Sequence, residues 1–141
     1  MSERIYKSKV DRWVYAVIIF VLLLPIVLLA IAGVAWFVLL MVGIVTGGLL
    51  WISLSTVIYV IKDDELGVRS FIAWRWYPID KIKSVRKTTS MLAAPANSFK
   101  RIAITFDRSV NKSFLPLEIS PENRDGFIAD LLSINPDIKV L

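Results

Sequence analysis

The sequence predicts an α+β membrane protein, in which a transmembrane hairpin of two helices precedes a small antiparallel β-sheet that a C-terminal helix caps. Three observations support this fold class. No charged residue occurs between Trp13 and Ile61, alternating apolar and polar residues follow, and one amphipathic pattern closes the chain. Hydrophobic residues make up 56% of the 141 residues, which exceeds the usual share in a soluble domain and is concentrated in the uncharged run.

The uncharged run is too long for one membrane-spanning helix. A single helix over it would measure about 74 Å, whereas the hydrocarbon core of a bilayer is about 30 Å thick. We therefore predict helices near 13–32 and 36–55, joined by a tight turn in which Gly33 permits the chain reversal. A cleavable signal peptide ending at 30–32 is the alternative, but the apolar stretch is longer than the core of such signals.

Small and aromatic residues predict contacts of the hairpin. Gly43 and Gly47 form a GxxxG pattern, which indicates close helix packing either within the hairpin or between two copies in a homo-oligomer. Indole rings prefer the interface between the hydrocarbon core and water. The candidate interfacial aromatics are Trp13, Trp36, Trp51, Trp74 and Trp76.

The charge distribution predicts the orientation of the chain. The net charge is +5, and basic side chains outnumber acidic ones before Trp13, whereas the turn near Gly33 has none. Positively charged flanks stay in the cytoplasm, and two crossings return the chain to the same side. We therefore predict a multi-pass protein of the cell (inner) membrane with both termini cytoplasmic, divided into a basic N-terminus over 1–12, the hairpin over 13–55 and a cytoplasmic domain over 56–141.

Alternation of apolar and polar residues predicts the strands of the cytoplasmic domain. Strands are expected at 56–61, 66–69, 74–77 and 101–107. A helical turn is expected at 80–83, directly before a further strand. The apolar residues Leu115, Leu117 and Ile119 indicate the last strand. Several antiparallel strands that precede a single helix are typical of a small α+β domain.

The last helix has clear start and stop signals. Ser120 is the expected N-cap, Pro121 suits the first helical position, and Asn135 precedes a proline that ends the helix. Its apolar stripe consists of Phe127, Ile128, Leu131 and Leu132. This stripe is expected to cover the sheet as part of the core.

Two stretches that mix basic and apolar residues are candidate surfaces. In "WRWYPIDKIKSV" (74–85), Trp74 and Trp76 share one face of a strand, which predicts either a hairpin beside the core or rings that rest on the bilayer. The apolar loop 91–96 either completes the core or contacts anionic headgroups or a partner protein. The candidate membrane or partner surface consists of Arg86, Lys87, Met91, Leu92, Lys100 and Arg101.

The composition excludes several kinds of catalytic site. The chain has no Cys and no His, so it lacks thiolate chemistry, the commonest zinc ligand and the usual general base. Three successive carboxylates at 63–65 are more typical of a solvated turn than of a cation site. We predict that the chain is not an enzyme, with no catalytic residue, no metal and no cofactor. Nucleic acid is not an expected partner, because acidic turns interrupt the basic surface.

The cytoplasmic domain resembles a known family. The segments that carry the resemblance are "YVIKDDELGV", "YPIDKIKSV", "SMLAAPANSFKRIAI" and "LEISPENRDGFIADLLSINPDIKV", which cover most of 56–141. They are similar to the bacterial PH-like domains of small proteins with two transmembrane helices, a family of unknown function. The resemblance implies a curved sheet or half-barrel capped by the last helix, and it brings no catalytic residue with it.

One departure limits what the resemblance implies. Phosphoinositide-binding relatives hold phosphates with basic residues around the first β-turn, whereas the first predicted turn here is acidic at 63–65. The resemblance therefore does not imply phosphoinositide binding. We predict a non-enzymatic, membrane-anchored interaction module with a scaffold, envelope-stress or immunity role, whose expected partners are membrane lipids and a membrane protein. The alternative is an accessory subunit of a transporter or membrane enzyme, which the uncharged spans disfavour.

Overall fold

The computed structural model describes residues 3–90, 96–111 and 114–141. Two helices, α1 (Arg12–Ile31) and α2 (Trp36–Ser55), form the predicted pair and agree with the predicted bounds within one residue. By length and composition, both could cross a membrane. Every side chain of the two helices is at least partly exposed, so this apolar pair needs an apolar surrounding that the rest of the described chain does not provide.

The helices reverse at a glycine and pack through two others. Gly33 has a φ of 78°, in a backbone region that residues with a Cβ atom rarely adopt. A Cβ on Gly43 would lie 3.4 Å from Ile26 Cδ1, and one on Gly47 would lie 3.7 Å from Leu22 Cδ2. Both glycines therefore face α1 within the hairpin, and a homo-oligomer built on the same pair stays a prediction.

The first sheet contains a strand that precedes the hairpin. Its order is β1–β2–β3–β4, and all neighbours are antiparallel. The strands are β1 (Arg4–Lys7), β2 (Ile58–Lys62), β3 (Glu65–Ser70) and β4 (Ala73–Pro78). Because β1 and β2 are neighbours, the whole hairpin is inserted between two adjacent strands of one sheet. The sequence did not predict β1, whose four residues fall in the segment interpreted as a basic N-terminus.

The second sheet is mainly antiparallel and has the order β7–β6–β5–β8. Its strands are β5 (Ile82–Thr89), β6 (Lys100–Phe106), β7 (Leu117–Ile119) and β8 (Lys139–Val140). The predicted helical turn before β5 is a 3₁₀ turn over Ile79–Lys81. β8 pairs in parallel with β5 and was not predicted. The two sheets confirm a small, mainly antiparallel β domain, while their closure into a half-barrel stays a prediction.

The C-terminal helix, α3 (Arg124–Ile134), supplies part of the core. Phe127, Ile128 and Leu131 are buried among apolar side chains of both sheets, and Leu132 is partly buried beside them. The inward position predicted for Leu115 is wrong, because that residue precedes β7 and is exposed. The remaining core side chains come mainly from β2, β3, β5 and β6.

α3 begins later than the sequence predicted. Asn123, rather than Ser120, is the N-cap, and its side-chain oxygen accepts a hydrogen bond from the Gly126 N–H at 3.0 Å. The Ser120 hydroxyl is instead 2.9 Å from the Ser8 hydroxyl, and its carbonyl accepts from the Lys9 N–H at 2.7 Å. Contacts with the N-terminal segment thus compete with capping and move the helix start by several residues.

The two ends of the first sheet differ in what they adjoin. Lys7, Ile58 and Arg69 are in register across β1, β2 and β3, and the chain enters and leaves the hairpin just beyond the first two. We call this the proximal end, which also holds the β3–β4 turn over 71–72. The opposite, distal end holds the β2–β3 turn over 63–64.

Candidate functional site

The segment 96–99 connects the domain to both ends of the hairpin. The side-chain amide of Asn97 donates to the Leu54 carbonyl, near the end of α2, at 3.2 Å. The Asn97 carbonyl accepts from the Asp11 N–H, directly before α1, at 3.3 Å. One short segment therefore holds both helix ends, and we call its contacts with Asp11, Trp13 and Leu54 the junction.

Asp11 supplies the negative charge of the junction. Its carboxylate accepts hydrogen bonds from the Ser98 hydroxyl at 2.8 Å and from the Phe99 N–H at 2.9 Å. Partial burial opposes ionisation, but these bonds, a further one from Trp13 and the charge of Lys9 together hold the pKa of the Asp11 carboxyl below its usual value. The Trp13 and Phe99 rings stack with centroids 4.6 Å apart and planes 5° from parallel.

The Asp11→Ala variant is expected to loosen the junction and leave the core of the domain folded. Two donors, on Ser98 and Phe99, lose a charged acceptor, and such hydrogen bonds contribute about 1.5–3 kcal/mol each. The measurement is amide hydrogen exchange of residues 97–99 in the full-length protein, with Asp64→Ala at the distal end as the control. Unchanged protection at 97–99 in the Asp11 variant would contradict this assignment.

The same contact is expected to weaken in acid. Because the pKa of Asp11 in the folded protein lies below its usual value of 3.8, the ionised carboxylate favours the folded junction. Its stabilisation is complete above that usual value and is lost as the pH falls through the lower, folded-state pKa. Protection factors at 97–99 should therefore decrease below pH 3.8 in the wild type, and this acid dependence should be absent from Asp11→Ala.

A buried cluster of hydroxyl groups lies beside the junction. The Tyr59 hydroxyl donates to the Ser8 hydroxyl at 3.2 Å and accepts from the Ser120 N–H at 3.1 Å. The Asn97 N–H donates to the Ser120 hydroxyl, also at 3.1 Å. Burial is the main cause that raises the pKa of Tyr59, so the phenol stays neutral and can both donate and accept. This cluster connects strands on both sides of the hairpin, which is a structural role.

The predicted surface residue Arg101 lies in the interior. It is 6% exposed, and its guanidinium lies 3.1 Å from the carboxylate of Glu118, which is 8% exposed. Its Nε also donates to the Ser98 carbonyl at 2.8 Å. The assignment of Arg101 to a membrane or partner surface is therefore wrong, because β6 directs this side chain towards an acidic partner on β7.

Three of the other predicted surface residues are exposed on two paired strands. Arg86, Lys87 and Lys100 are exposed on β5 and β6, and Lys87 forms an ion pair with Asp125 of α3. Met91 and Leu92 lie outside the described residues. Whether the exposed basic side chains contact lipid or a partner stays a prediction.

A comparison with protein families identifies the domain. The family model described as "Bacterial PH domain" matches residues 57–135, which is more than half of the chain. The chain belongs to the bacterial PH domain family. The resemblance predicted from the sequence is thereby confirmed. Neither a curated protein nor a solved structure matches the chain significantly.

The PH domain of this chain incorporates β1 from outside the matched residues. β1 (Arg4–Lys7) therefore makes the hairpin the first connection of the sheet, between β1 and β2. The acidic turn predicted at 63–65 connects β2 and β3, so it is the second connection of the sheet and lies at the distal end. Its acidic residues are turned away from the end at which the hairpin enters, so they do not decide what the proximal end binds.

The two tryptophans of β4 lie on the outer face of the PH domain. Trp74 and Trp76 stack with centroids 5.5 Å apart, and both are more than two-fifths exposed. Trp76 covers Gly67 so closely that a Cβ there would lie 2.6 Å from its ring. On the opposite face, Tyr77 stacks on Phe106 beside the core, with centroids 5.0 Å apart. Strand β4 thus has one face against the core and one aromatic face outside it.

The remaining candidate aromatics occupy the ends of the hairpin. Trp13 lies in the first turn of α1, Trp36 begins α2, and Trp51 lies near the end of α2. All three are exposed. Their contact with a bilayer interface stays a prediction.

A shallow cavity lies at the distal end of the PH domain. Its volume is about 270 Å³, and its lining includes Arg4, Asp63, Asp64 and Asp130. Arg4 forms an ion pair with Asp130, which balances one of the three negative charges at this cavity. Within 3–90, 96–111 and 114–141, no group of three metal-ligating side chains is placed to hold an ion.

The junction was missed because each of its members has an ordinary local explanation. Asp11 precedes an apolar helix, and Asn97 and Ser98 lie in a polar stretch typical of loops. Their contacts join residues that are 43 to 88 positions apart in the chain. Asp11 immediately before a helix is a capping signal, but it accepts from the distant loop instead of capping α1.

Proposed function

We propose that the chain is a non-catalytic interaction module, in which a membrane-anchored bacterial PH domain is presented at the cytoplasmic face of the inner membrane. The pairing of β1 with β2 is the observation that carries this proposal. Both strands adjoin the hairpin, so the domain is connected directly to two helix ends rather than to one. The partners proposed for it are membrane lipids and a membrane protein.

The short connections support a fixed platform rather than a tethered domain. Ser55 ends α2 and Ile58 begins β2, which leaves two residues between helix and strand. In the junction, Asn97 donates a hydrogen bond to Leu54 at the end of α2 and accepts one from the Asp11 N–H before α1. A domain held in this way has a restricted orientation, which raises the effective concentration of its surface for a partner in the same membrane.

The charge distribution supports the cytoplasmic side. Four basic residues precede Trp13, and the connection between the helices carries no charge. Basic flanks are retained in the cytoplasm. Because β1 and the strands after the hairpin form one sheet, the N-terminal strand and the PH domain must lie on the same side whatever that side is.

Reporter fusions are expected to give opposite signals at the hairpin turn and at the C-terminus. A reporter active only in the periplasm should function when inserted at Ala35 and fail when fused after Leu141, and a cytoplasmic reporter should do the reverse. The reason is that two spans return the chain to the side on which it began. A periplasmic signal after Leu141 would refute the cytoplasmic placement.

The non-catalytic part of the proposal is supported by composition. With no His and no Cys, the chain lacks the groups that most often act as general base or thiol nucleophile. A hydrolytic activity of the purified full-length protein, abolished by one polar substitution within 56–141, would overturn this part. Affinity capture in native lipid would distinguish a scaffold, an envelope-stress and an immunity role by the identity of the partner.

A further inference from the structure

The β3–β4 turn exposes apolar side chains at the proximal end of the PH domain. Phe71 is 46% exposed and Ile72 is 78% exposed, and the stacked rings of Trp74 and Trp76 follow on the outer face. Tight turns normally contain Gly, Asn, Asp or Ser. An exposed apolar turn beside exposed indole rings is the kind of surface that contacts another apolar phase.

The backbone of this turn is strained by its apolar residue. Phe71 has a φ of 59°, which a bulky side chain rarely adopts and which Gly or Asn would accommodate more easily. The distal turn has the same requirement at Asp63, with a φ of 52°, and it uses a short polar residue of the type that tolerates this conformation. The contrast indicates that the ring at Phe71 serves a purpose other than closing the turn.

The register of the sheet places this turn beside the hairpin. Arg69 lies opposite Ile58, the first residue of β2. The turn residues therefore extend by about two positions, or about 7 Å, beyond the start of β2 and towards the level of the helix end. Ser55, the last residue of α2, lies three positions before Ile58 in the chain. The turn and the end of α2 are thus on the same side of the sheet's proximal edge.

The charges around the turn fit an anionic surface. The segment 69–75 contains two arginines and no acidic residue, whereas the distal turn and the first residue of β3 together carry three successive carboxylates. Arg75 is exposed, and the guanidinium of Arg69 lies 5.9 Å from the centre of the Trp74 ring. Arg and aromatic side chains together are typical of protein segments at the headgroup level of a membrane.

We propose that the β3–β4 turn of the PH domain lies in the headgroup region of the bilayer that holds the hairpin, with Phe71 and Ile72 directed into it. The inference deepens the proposed function, on which it rests for the membrane insertion of α1 and α2. The bilayer is the occupant because the turn adjoins the helix ends, carries no acidic residue and presents apolar side chains outward. The turn therefore acts as a third point of attachment besides the two helices.

The chain offers a matched control for this contact. Phe114 is an apolar residue that is 92% exposed, and the guanidinium of Arg108 lies 5.9 Å from its ring centre, much as Arg69 lies by Trp74. β6 begins beside the junction and runs away from it, so it ends at the distal side of the domain. Phe114 follows that end of β6 in the chain. Ile72 and Phe114 are thus both exposed apolar residues in a segment that contains an arginine. They differ mainly in the end of the domain at which they lie.

The experiment uses single cysteines in the full-length protein, which has no native cysteine. Ile72→Cys and Phe114→Cys are each labelled with an environment-sensitive fluorophore and reconstituted in vesicles of phosphatidylcholine and phosphatidylglycerol. Ile72 is chosen instead of Phe71 because its substitution does not involve a left-handed backbone. The label at position 72 should emit at a shorter wavelength than the label at position 114, because its surroundings are less polar. Lipids that carry a spin label near the headgroup should quench the label at position 72 and leave the label at position 114 unchanged.

Each outcome decides the proposal. Quenching at position 72 alone supports the proposal. Equal quenching at both positions, or no quenching at position 72, overturns it. In the second case the turn would be a surface for a protein partner. Labelling of Phe114→Cys by an impermeant reagent in intact and opened cells reports separately on which side the PH domain lies. A domain on the external side would refute the cytoplasmic placement without affecting the quenching result, so the two failures are distinguishable.

Discussion

Replacement of Phe127 by alanine is expected to lower the free energy of unfolding of the PH domain by about 3–5 kcal/mol, the usual range for removing a buried aromatic side chain. Phe127 is 0% exposed, and its ring makes edge contacts with Tyr6 and Tyr59 at centroid distances of 5.1 Å and 6.4 Å. The substitution therefore leaves a cavity between α3 and both strands that adjoin the hairpin. Tyr6 and Tyr59 lie opposite each other on the paired strands β1 and β2, so they can collapse into the cavity only partly.

The measurement is a urea titration of the full-length protein in nanodiscs, followed by amide hydrogen exchange of β6. The full chain is needed, because a fragment that begins after the hairpin would lack β1. Phe114→Ala is the matched control, since it removes the same atoms from a side chain that is 92% exposed, and surface substitutions usually change stability by less than about 0.5 kcal/mol. Equal midpoints for the two variants would show that α3 does not cover the core.

Replacement of Glu118 by leucine is expected to destabilise the domain by about 3–5 kcal/mol, because breaking a buried ion pair leaves the remaining charge buried without its counter-charge. Glu118 lies 3.1 Å from the Arg101 guanidinium, and both side chains are less than a tenth exposed. Arg101 also donates to the Ser98 carbonyl. Loss of Glu118 should therefore also reduce the protection of the amides at the junction.

The double variant Arg101→Met/Glu118→Leu separates the charge effect from the packing effect. Apolar residues of similar volume can replace a buried ion pair with little loss of stability, so the double variant should recover most of the stability that Glu118→Leu loses. Thermal or urea unfolding of the four proteins of the cycle gives the coupling between the two side chains. A Glu118→Leu protein as stable as the wild type would contradict the buried pair.

Local patterns predicted most of the fold because most of its elements are locally specified. α1 and α2 follow from an uncharged run and from the thickness of a bilayer, which together fix their number and length. The strands from β2 to β6 were located from alternating or β-branched residues, and the β2–β3 turn from its acidic residues. The buried stripe of α3 likewise follows from helical periodicity, as the burial of Phe127, Ile128 and Leu131 illustrates.

The elements that were not predicted depend on pairing between distant residues. Arg4–Lys7 consists of four residues, two of them basic, and becomes a strand because Tyr6 lies opposite Tyr59 in an adjacent strand. β8 has two residues and needs β5 as a template. Neither segment has enough local signal to specify a strand by itself. The register that creates both strands is a tertiary property.

Side-chain roles were misjudged for the same reason. A basic residue such as Arg101 is usually exposed, and the presence of Glu118 beside it in a neighbouring strand cannot be recognised from spacing alone. Ser120 satisfies the sequence rules for an N-cap, yet its hydroxyl is engaged by Ser8 from the other end of the chain. In both cases a partner that is close only in the folded chain determines the contacts of the side chain, rather than the residue type and its neighbours in sequence.

The insertion of the hairpin between β1 and β2 has a consequence for the biosynthesis of the protein. β1 leaves the ribosome first but finds its hydrogen-bonding neighbour only after both helices have been made, roughly 50 residues later, which takes about 3–10 s at the usual rates of translation. Under the proposed membrane topology, both helices must enter the bilayer during that interval and return the chain to the side on which β1 lies. If insertion stops after one helix, β2 emerges on the opposite side and its edge stays unpaired, which is a known hazard for aggregation. On this proposal, completion of the PH domain depends on correct insertion of both helices.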